Sequence, residues 1–492
     1  MKGLRTCARA LTFAAALSLA DSCLPAQPKS VTRTAHETPV HALFISDIHF
    51  EPFWDPGKAP QLATAPAEQW KSILGSADSS DRDAQFAALE QKCHTRGEDT
   101  SYGLYASSLT AMQSKERDVA FITVSGDLIA HAFSCKYDAL FPKSSPDAYQ
   151  SFVEKTIQFV LGELRTTVPE ARVYAALGNN DSDCGDYQLD KHSSFLSHLS
   201  EVIAEGLPPA SRQSAVMTFA DSGYYSAALP APLEHIRLLV LDDTFMSRKY
   251  ASCSGKPDSG GADAQMAWLR AQLAEARQKR QHVWVMGHIP PGIDPYSTAV
   301  KMRDVCGGSA PEMFLSSGDL PELLSDYGDV IQLALFAHTH MDEMRLLKPE
   351  NAAASSAALG VAVKLVPSIS PINGNAPSFT IATVEPTTAT LRDYRVFVAS
   401  DGTGSNGAWQ EEYDYTKTYH QATFSAVALN SLIKGFQTDS DATTDPSEAY
   451  LRNYFVRDHS LELKLFWPQY VCALAGYDVA TYKGCVCQHS NP

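Results

Sequence analysis

Short apolar runs rich in β-branched and aromatic residues punctuate the chain at 42–45, 119–124, 173–177, 238–241, 283–286 and 331–336, each ending abruptly in polar residues. Runs of that length, apolar on both faces, predict buried strands. Between them apolar positions recur at three and four spacing over 149–166, 193–203 and 262–279, which predicts amphipathic helices. Alternating strands and helices imply an α/β core. Three further runs, 361–366, 378–384 and 389–396, follow without helices and predict an antiparallel addition to a second sheet. The Gly/Ser/Asn-rich stretch 400–407 marks a boundary, after which apolar residues return at helical spacing over 413–433 and 448–470. A main domain over 41–400 and a small helical C-terminal subdomain over 401–492 are expected.

The stretch from His49 to Val119 is far longer than the connections that join most α/β strands. It reads equally as a lid or substrate wall and as a structural insertion. At the N-terminus Lys2, Arg5 and Arg9 precede a short apolar segment, 11–20, too brief to span a bilayer but suited to a signal peptide. Cleavage is expected after Ala20 or Ala26, giving a signal peptide over 1–26 and a leader over 27–40, with lipid attachment at Cys23 a poorer match. The chain is therefore expected to be secreted or periplasmic. Eight cysteines remain beyond that segment, and an even set in an exported chain predicts disulfides with the pairing left open. A thiolate zinc site would need close pairs, and Cys485 and Cys487 alone are close.

A formal charge of −16 leaves no broad basic surface for a nucleic-acid backbone, so duplex DNA or RNA is excluded as a partner. Small phosphates remain open, because bound cations reverse the sign locally. Five predicted strand ends finish in groups that bind divalent metals: Asp47 and His49; Asp127, with His131 four residues on; Asn179, Asn180 and Asp181; His288; and His338 and His340. Strand C-termini of such a sheet converge on one edge, so seven ligands from five ends can surround two ions. Asp47 and His49, like His338 and His340, are two apart, and an extended chain would turn each pair to one centre.

The series D-x-H, G-D-x-x-x-H, G-N-x-D, G-H and H-T-H resembles the calcineurin-like metallophosphoesterase superfamily. The segments from Gly287 to Gly292 (GHIPPG), from His338 to Glu343 (HTHMDE) and from Pro367 to Pro371 (PSISP) resemble its acid-sphingomyelinase-like phosphodiesterases more narrowly. The resemblance implies an α/β fold, a two-sheet β-sandwich flanked by helices. It implies one metal on Asp47, His49 and His340, a second on Asn179, His288 and His338, and Asp127 between them. Two zinc ions are the leading expectation, with iron or manganese acceptable to the same ligands. Between such cations a bridging water ionises and becomes the nucleophile. His131 matches a family histidine beside the substrate phosphate.

This sequence departs from the pattern at Asn180, where the family has the histidine that protonates the leaving oxygen. His131, Asp181 or a metal-bound water would have to substitute. The same Asn-Asn-Asp resembles the endopolyphosphatase branch, whose phosphate leaving group needs less protonation. Ala337 replaces a common glycine. No saposin-like segment precedes the first strand, which shifts weight from membrane lipid towards soluble phosphate esters and nucleotides. The expected function is a secreted dimetal phosphodiesterase acting on a small phosphate ester, nucleotide or phospholipid headgroup. The alternatives are a polyphosphate or nucleotide anhydride hydrolase, and a non-catalytic binding protein on this fold.

Overall fold

In the computed structural model, residues 38–349, 360–401, 407–457 and 461–489 are described; the predicted signal peptide, most of the leader and part of the 400–407 boundary lie outside them. Among the described residues twelve strands form two six-stranded sheets. In the first, β1 (Val40–Ile45), β2 (Val119–Ser125) and β3 (Arg172–Ala176) are parallel, and β10 (Ser378–Glu385), β11 (Thr390–Ala399) and β12 (Trp409–Asp414) extend the other edge antiparallel. The second has the order β4 (Tyr225–Ala228), β5 (Ile236–Val240), β6 (His282–Met286), β7 (Ile331–Phe336), β9 (Val361–Leu365), β8 (Glu343–Leu347). Its central strands β5, β6, β7 and β9 are parallel.

The two sheets pack face to face. The Trp284 ring of β6 meets Phe44 of β1 and Phe121 of β2 edge-on, at centroid distances of 6.2 and 5.9 Å. Its indole N–H donates across the interface to the Ala389 carbonyl at 2.8 Å. Tyr225 of β4 bonds both backbone groups of Ala175 in β3 through one hydroxyl. Buried tyrosines and tryptophans need such partners, and here the partners also fix how the sheets lie on one another.

The predicted helices start where side chains can cap them. Ser145 accepts from Ala148 N ahead of Pro146–Thr167, and Ser193 accepts from Leu196 N ahead of Ser194–Gly206. The expected antiparallel addition divides between the sheets: β9 lies parallel beside β7, whereas β10 and β11 join the first sheet next to β1. Three strands escape the periodicity reading. β4 has four residues, β8 carries the charged pair Glu343 and Arg345, and β12 reads as polar. As a result 413–433 is not helical throughout; a strand ends at Asp414, Tyr415–Tyr419 is one short helix and Ala426–Thr438 another. The helices Ala426–Thr438 and Trp467–Ala473 pack together, the former also against β8 and β9.

All eight cysteines of the described residues are paired: Cys93–Cys135, Cys184–Cys253, Cys306–Cys487 and Cys472–Cys485. The first ties the long 51–118 insertion to the helix Phe133–Leu140, just past His131. The second clips together two loops beyond strand ends. Among the described residues no helix is long and apolar enough to cross a membrane.

Candidate metal centre

Beyond the ends of the parallel strands the chain continues as paired loops. Asp47 N and His49 N donate to the carbonyls of Gly126 and Asp127 at 3.0 and 2.9 Å, so the β1 and β2 loops run on together. In the second sheet Ala337 N donates to His288 O at 2.8 Å. The sheets join at the centre, where His338 N donates to Asp47 Oδ2 at 3.3 Å. Asp47, His49, Asp127, His338 and His340 all have positive φ, between 44° and 70°. That conformation costs a non-glycine residue about 1–3 kcal/mol and persists only where the surroundings over-determine it.

Extended backbone is therefore not what aims these residues. Asp47 and His49 do face one centre, with His49 Nε2 3.9 Å from Asp47 Oδ1. His338 and His340, expected as a pair, diverge: His340 Nε2 meets His49 Nε2 at 3.1 Å, whereas His338 Nδ1 meets His288 Nε2 at 3.3 Å. Both histidines have left-handed backbone, as Asp47 and His49 do, but here the two rings part.

Asp127 lies between the two groups, its Oδ2 3.4 Å from His49 Nε2 and 3.2 Å from His288 Nε2. Close backbone approach permits this. A Cβ on Gly178 would stand 2.2 Å from Asp127 Oδ1, and one on Gly126, at φ +89°, 2.8 Å from Gly178 N. Asn179 Oδ1 completes the second group 3.1 Å from His288 Nε2, and its amide N donates to Asp186 Oδ1 at 2.6 Å, which settles which end faces inward. Two histidines are aimed by their outer nitrogens: His49 Nδ1 on Ile129 O at 3.0 Å and His288 Nδ1 on Ser125 O at 2.8 Å. His338 Nε2 lies 3.2 Å from the Tyr187 hydroxyl.

The donor set fits two cations. Asp47 Oδ1 is buried without a hydrogen-bond partner, 3.5 Å from His340 Nε2. Burial, reinforced by neighbouring histidines, holds His338 and His340 well below the ordinary imidazole range, so their rings are neutral and offer lone pairs. Burial pushes Asp47 up to about 7. Burial opposes the ionised form of Asp127 too, but His288 and His49 outweigh it and hold that carboxyl well below its usual range. Buried oxygen and imidazole donors converging at such distances are what borderline divalent ions require.

Beside this centre the His131 ring stacks on His49 at 4.0 Å, with its Nδ1 3.1 Å from Asp99 Oδ1. Burial favours neutral imidazole there, but the Asp99 carboxylate prevails and raises His131 to about 9. Ser370 donates to the same Asp99 oxygen at 2.9 Å. Asn180 turns inward and donates its backbone and side-chain N–H groups to the two oxygens of Asp127. Asp181 serves the backbone instead. Its oxygens accept the N–H groups of Gly178, Leu128 and Ile129, stapling one strand-end loop to another. With 1% of its surface exposed it does not reach the opening.

Asp99, Asp186, Tyr187 and Asp243 escaped the sequence reading, and Ser370 entered it only as part of the segment Pro367 to Pro371. Asp99 sits in the long insertion, where nothing marks it. Asp243 was findable, because the run 238–241 ends in two aspartates as the ligand-bearing runs end in theirs; its carboxylate accepts His288 N and Ile289 N at 3.0–3.2 Å. Next to His338 and Thr339 opens a cavity of about 390 Å³ walled by Phe314, Tyr454, Phe455 and Tyr470.

Residues 40–342 match the family described as calcineurin-like phosphoesterase. The chain belongs to that family and is a metal-dependent phosphoric ester hydrolase, whose fold implies a dimetal centre with His and Asp ligands. It is 23% identical over 401 residues to human acid sphingomyelinase-like phosphodiesterase 3b, covering 79% of this chain and 80% of that one. It is 22% identical over 405 residues to the cyclic GMP-AMP phosphodiesterase SMPDL3A of Mus musculus, covering 80% and 82%. With sphingomyelinase phosphodiesterase C of Dictyostelium discoideum the identity is 24% over 343 residues, covering 67% and 70%. Among solved structures, a dimetal phosphatase from Danio rerio aligns with a TM-score of 0.40 at 13% identity, over 73% of this chain and 95% of that one.

Proposed function

We propose that this protein is an exported phosphodiesterase in which Asp47, His49 and His340 hold one divalent ion, Asn179, His288 and His338 hold a second, and Asp127 is shared. The observation that carries the reading is the position of Asp127 Oδ2, within 3.4 Å of an imidazole from each group. Zinc suits ligands that are mainly histidine. When bound, the ions supply Lewis-acid polarisation of the phosphate and a nucleophile at accessible pH.

The chain's own residues divide the remaining chemistry. His131, charged through Asp99, offers a proton and a positive charge at the opening, with about a third of its side chain exposed. It is the proposed donor to the departing oxygen, because the Asn180 amide is too weak an acid to protonate it and Asp181 is sealed. Asn180 positions Asp127 instead. Residues 41–400 carry this machinery, and the helices beyond 401 act as a closing subdomain. The four disulfides suit an oxidising compartment.

The relatives named as phosphodiesterases support a diester substrate, a nucleotide or a phospholipid headgroup. A second reading, anhydride hydrolysis, is favoured by Asn180, since a phosphate leaving group needs less protonation. General acid catalysis contributes about 10²- to 10⁴-fold and matters most for a departing alkoxide. Activated esters and anhydrides should therefore be turned over faster than unactivated alkyl diesters. The test is hydrolysis of bis(p-nitrophenyl) phosphate by protein loaded with zinc, iron or manganese, beside its Asp127→Asn variant. Turnover lost together with metal supports the reading; unchanged turnover in the variant refutes it.

A further inference from the structure

A second cavity, of about 220 Å³, also begins at His338, and its wall carries Arg248, Lys249 and Lys301. In a chain of net charge −16 a group of cations at the edge of the centre is out of keeping with the surface as a whole. Glu312 holds two of them, Arg248 and Lys301, together with the neighbouring Arg303. Its carboxylate is buried and fully engaged: Oε2 accepts from Arg248 Nη1 at 3.2 Å and Lys301 Nζ at 3.0 Å, and Oε1 accepts from Arg303 Nε and Nη2 at 2.8 and 2.6 Å. Those bonds hold the carboxyl of Glu312 below its ordinary range despite its burial.

One carboxylate thus gathers three cations and leaves them with donors to spare. A guanidinium has five N–H groups and an ammonium three, and Arg248 and Lys301 each give one to Glu312. Their side chains are 45% and 54% exposed. Lys249 bonds the Tyr187 hydroxyl at 3.2 Å and lies over that ring, which stations its ammonium beside His338. The wall's other carboxylate, Asp294, gives one oxygen to Ser297 N as a helix cap. Spare donors held in a fixed array by a buried counter-charge are suited to phosphate recognition.

We propose that Arg248, Lys301 and Lys249 form a subsite for a second anionic group, one link away from the phosphate at the metal centre, so that the preferred substrates carry linked phosphates. The inference rests on the phosphoesterase reading and specifies its substrate class. A monoanionic diester fills the centre and leaves this cavity vacant, whereas a di- or triphosphate spans both.

The test measures inhibition of bis(p-nitrophenyl) phosphate hydrolysis by orthophosphate and by inorganic tripolyphosphate, in wild type and in the Arg248→Gln/Lys301→Gln double variant. Each charge-assisted contact is worth about tenfold in affinity. Wild type should bind tripolyphosphate at least about 100-fold more tightly than orthophosphate, and the ratio within the variant should fall at least about tenfold. Removal of metal by tripolyphosphate would affect both proteins equally, so the change in ratio isolates the cations. A salt titration of wild type needs no variant: the preference should shrink as ionic strength rises. Equal inhibition of wild type by the two anions, a ratio unchanged in the variant or a salt-independent ratio would overturn the subsite. Metal-loaded wild type that hydrolyses no diester would instead overturn the phosphodiesterase reading.

Discussion

Asn180 grips both oxygens of Asp127, its backbone N–H reaching Oδ1 and its side-chain amide reaching Oδ2, each at 2.9 Å. The residue that departs from the family pattern is thus bound to the carboxylate at the middle of the centre. Asn180→Ala keeps the backbone bond and loses the other. Outer contacts of this kind are worth about 10- to 100-fold in metal affinity or activity. Metal titration of the variant should show weakening in that range. Asn180→His should raise turnover of alkyl diesters relative to nitrophenyl diesters, and an unchanged ratio would mean that this position does not limit protonation.

Among the described residues Asp99 hydrogen-bonds His131 and Ser370 but no ligand of the centre. Asp99→Asn removes the charge that keeps His131 protonated. It should lower kcat for an unactivated alkyl diester by about 10²-fold, the low end for a lost general acid, while metal content stays at the wild-type value. Equal loss of metal and activity would show Asp99 to be a structural support of the whole loop.

Glycines offer a paired test. Gly178→Ala would drive a Cβ to 2.2 Å from Asp127 Oδ1 and should abolish metal binding. Gly162, inside the helix Pro146–Thr167, has nothing within 4 Å of its Cβ position. Gly162→Ala should stabilise the protein by about 0.5–1 kcal/mol, read from denaturant midpoints.

How much of this was legible follows the physics of each signal. The strands bearing ligands announced themselves because burial on both faces demands uninterrupted apolar runs. β8 stayed hidden because its charges are buried as a pair inside the fold: Glu343 pairs with Arg345, which bonds the Ile293 carbonyl at 2.9 Å. β12 stayed hidden because edge strands tolerate polar residues. The ligand residues were visible through their chemistry and chain order. Their aim was not, since it depends on left-handed turns at His338 and His340 that nothing in H-T-H spells out. Asp99 and Ser370 are 271 residues apart and become neighbours only through the fold.

Asp242 supplies a pH test of stability away from the reaction. Burial, and then the charge of Asp243, push its carboxyl well above the ordinary range. The native chain keeps this proton at a pH where the unfolded chain has released it. Its contribution is full below about pH 4 and drains away as pH rises through the native value. The slope is about 1.4 kcal/mol per pH unit. Asp242→Asn should remove that slope, so the wild-type melting temperature should fall more steeply than the variant's as pH rises above about 4. Parallel curves would show that Asp242 ionises freely in the native protein.

Everything proposed for the chemistry turns on two metal ions that share Asp127, and anomalous diffraction from crystals grown with zinc tests this most directly. Two peaks are expected, one among Asp47, His49 and His340 and the other among Asn179, His288 and His338, each within bonding distance of an Asp127 oxygen. A single peak, or peaks that leave Asp127 uncoordinated in protein that still hydrolyses the nitrophenyl diester, would contradict the shared centre.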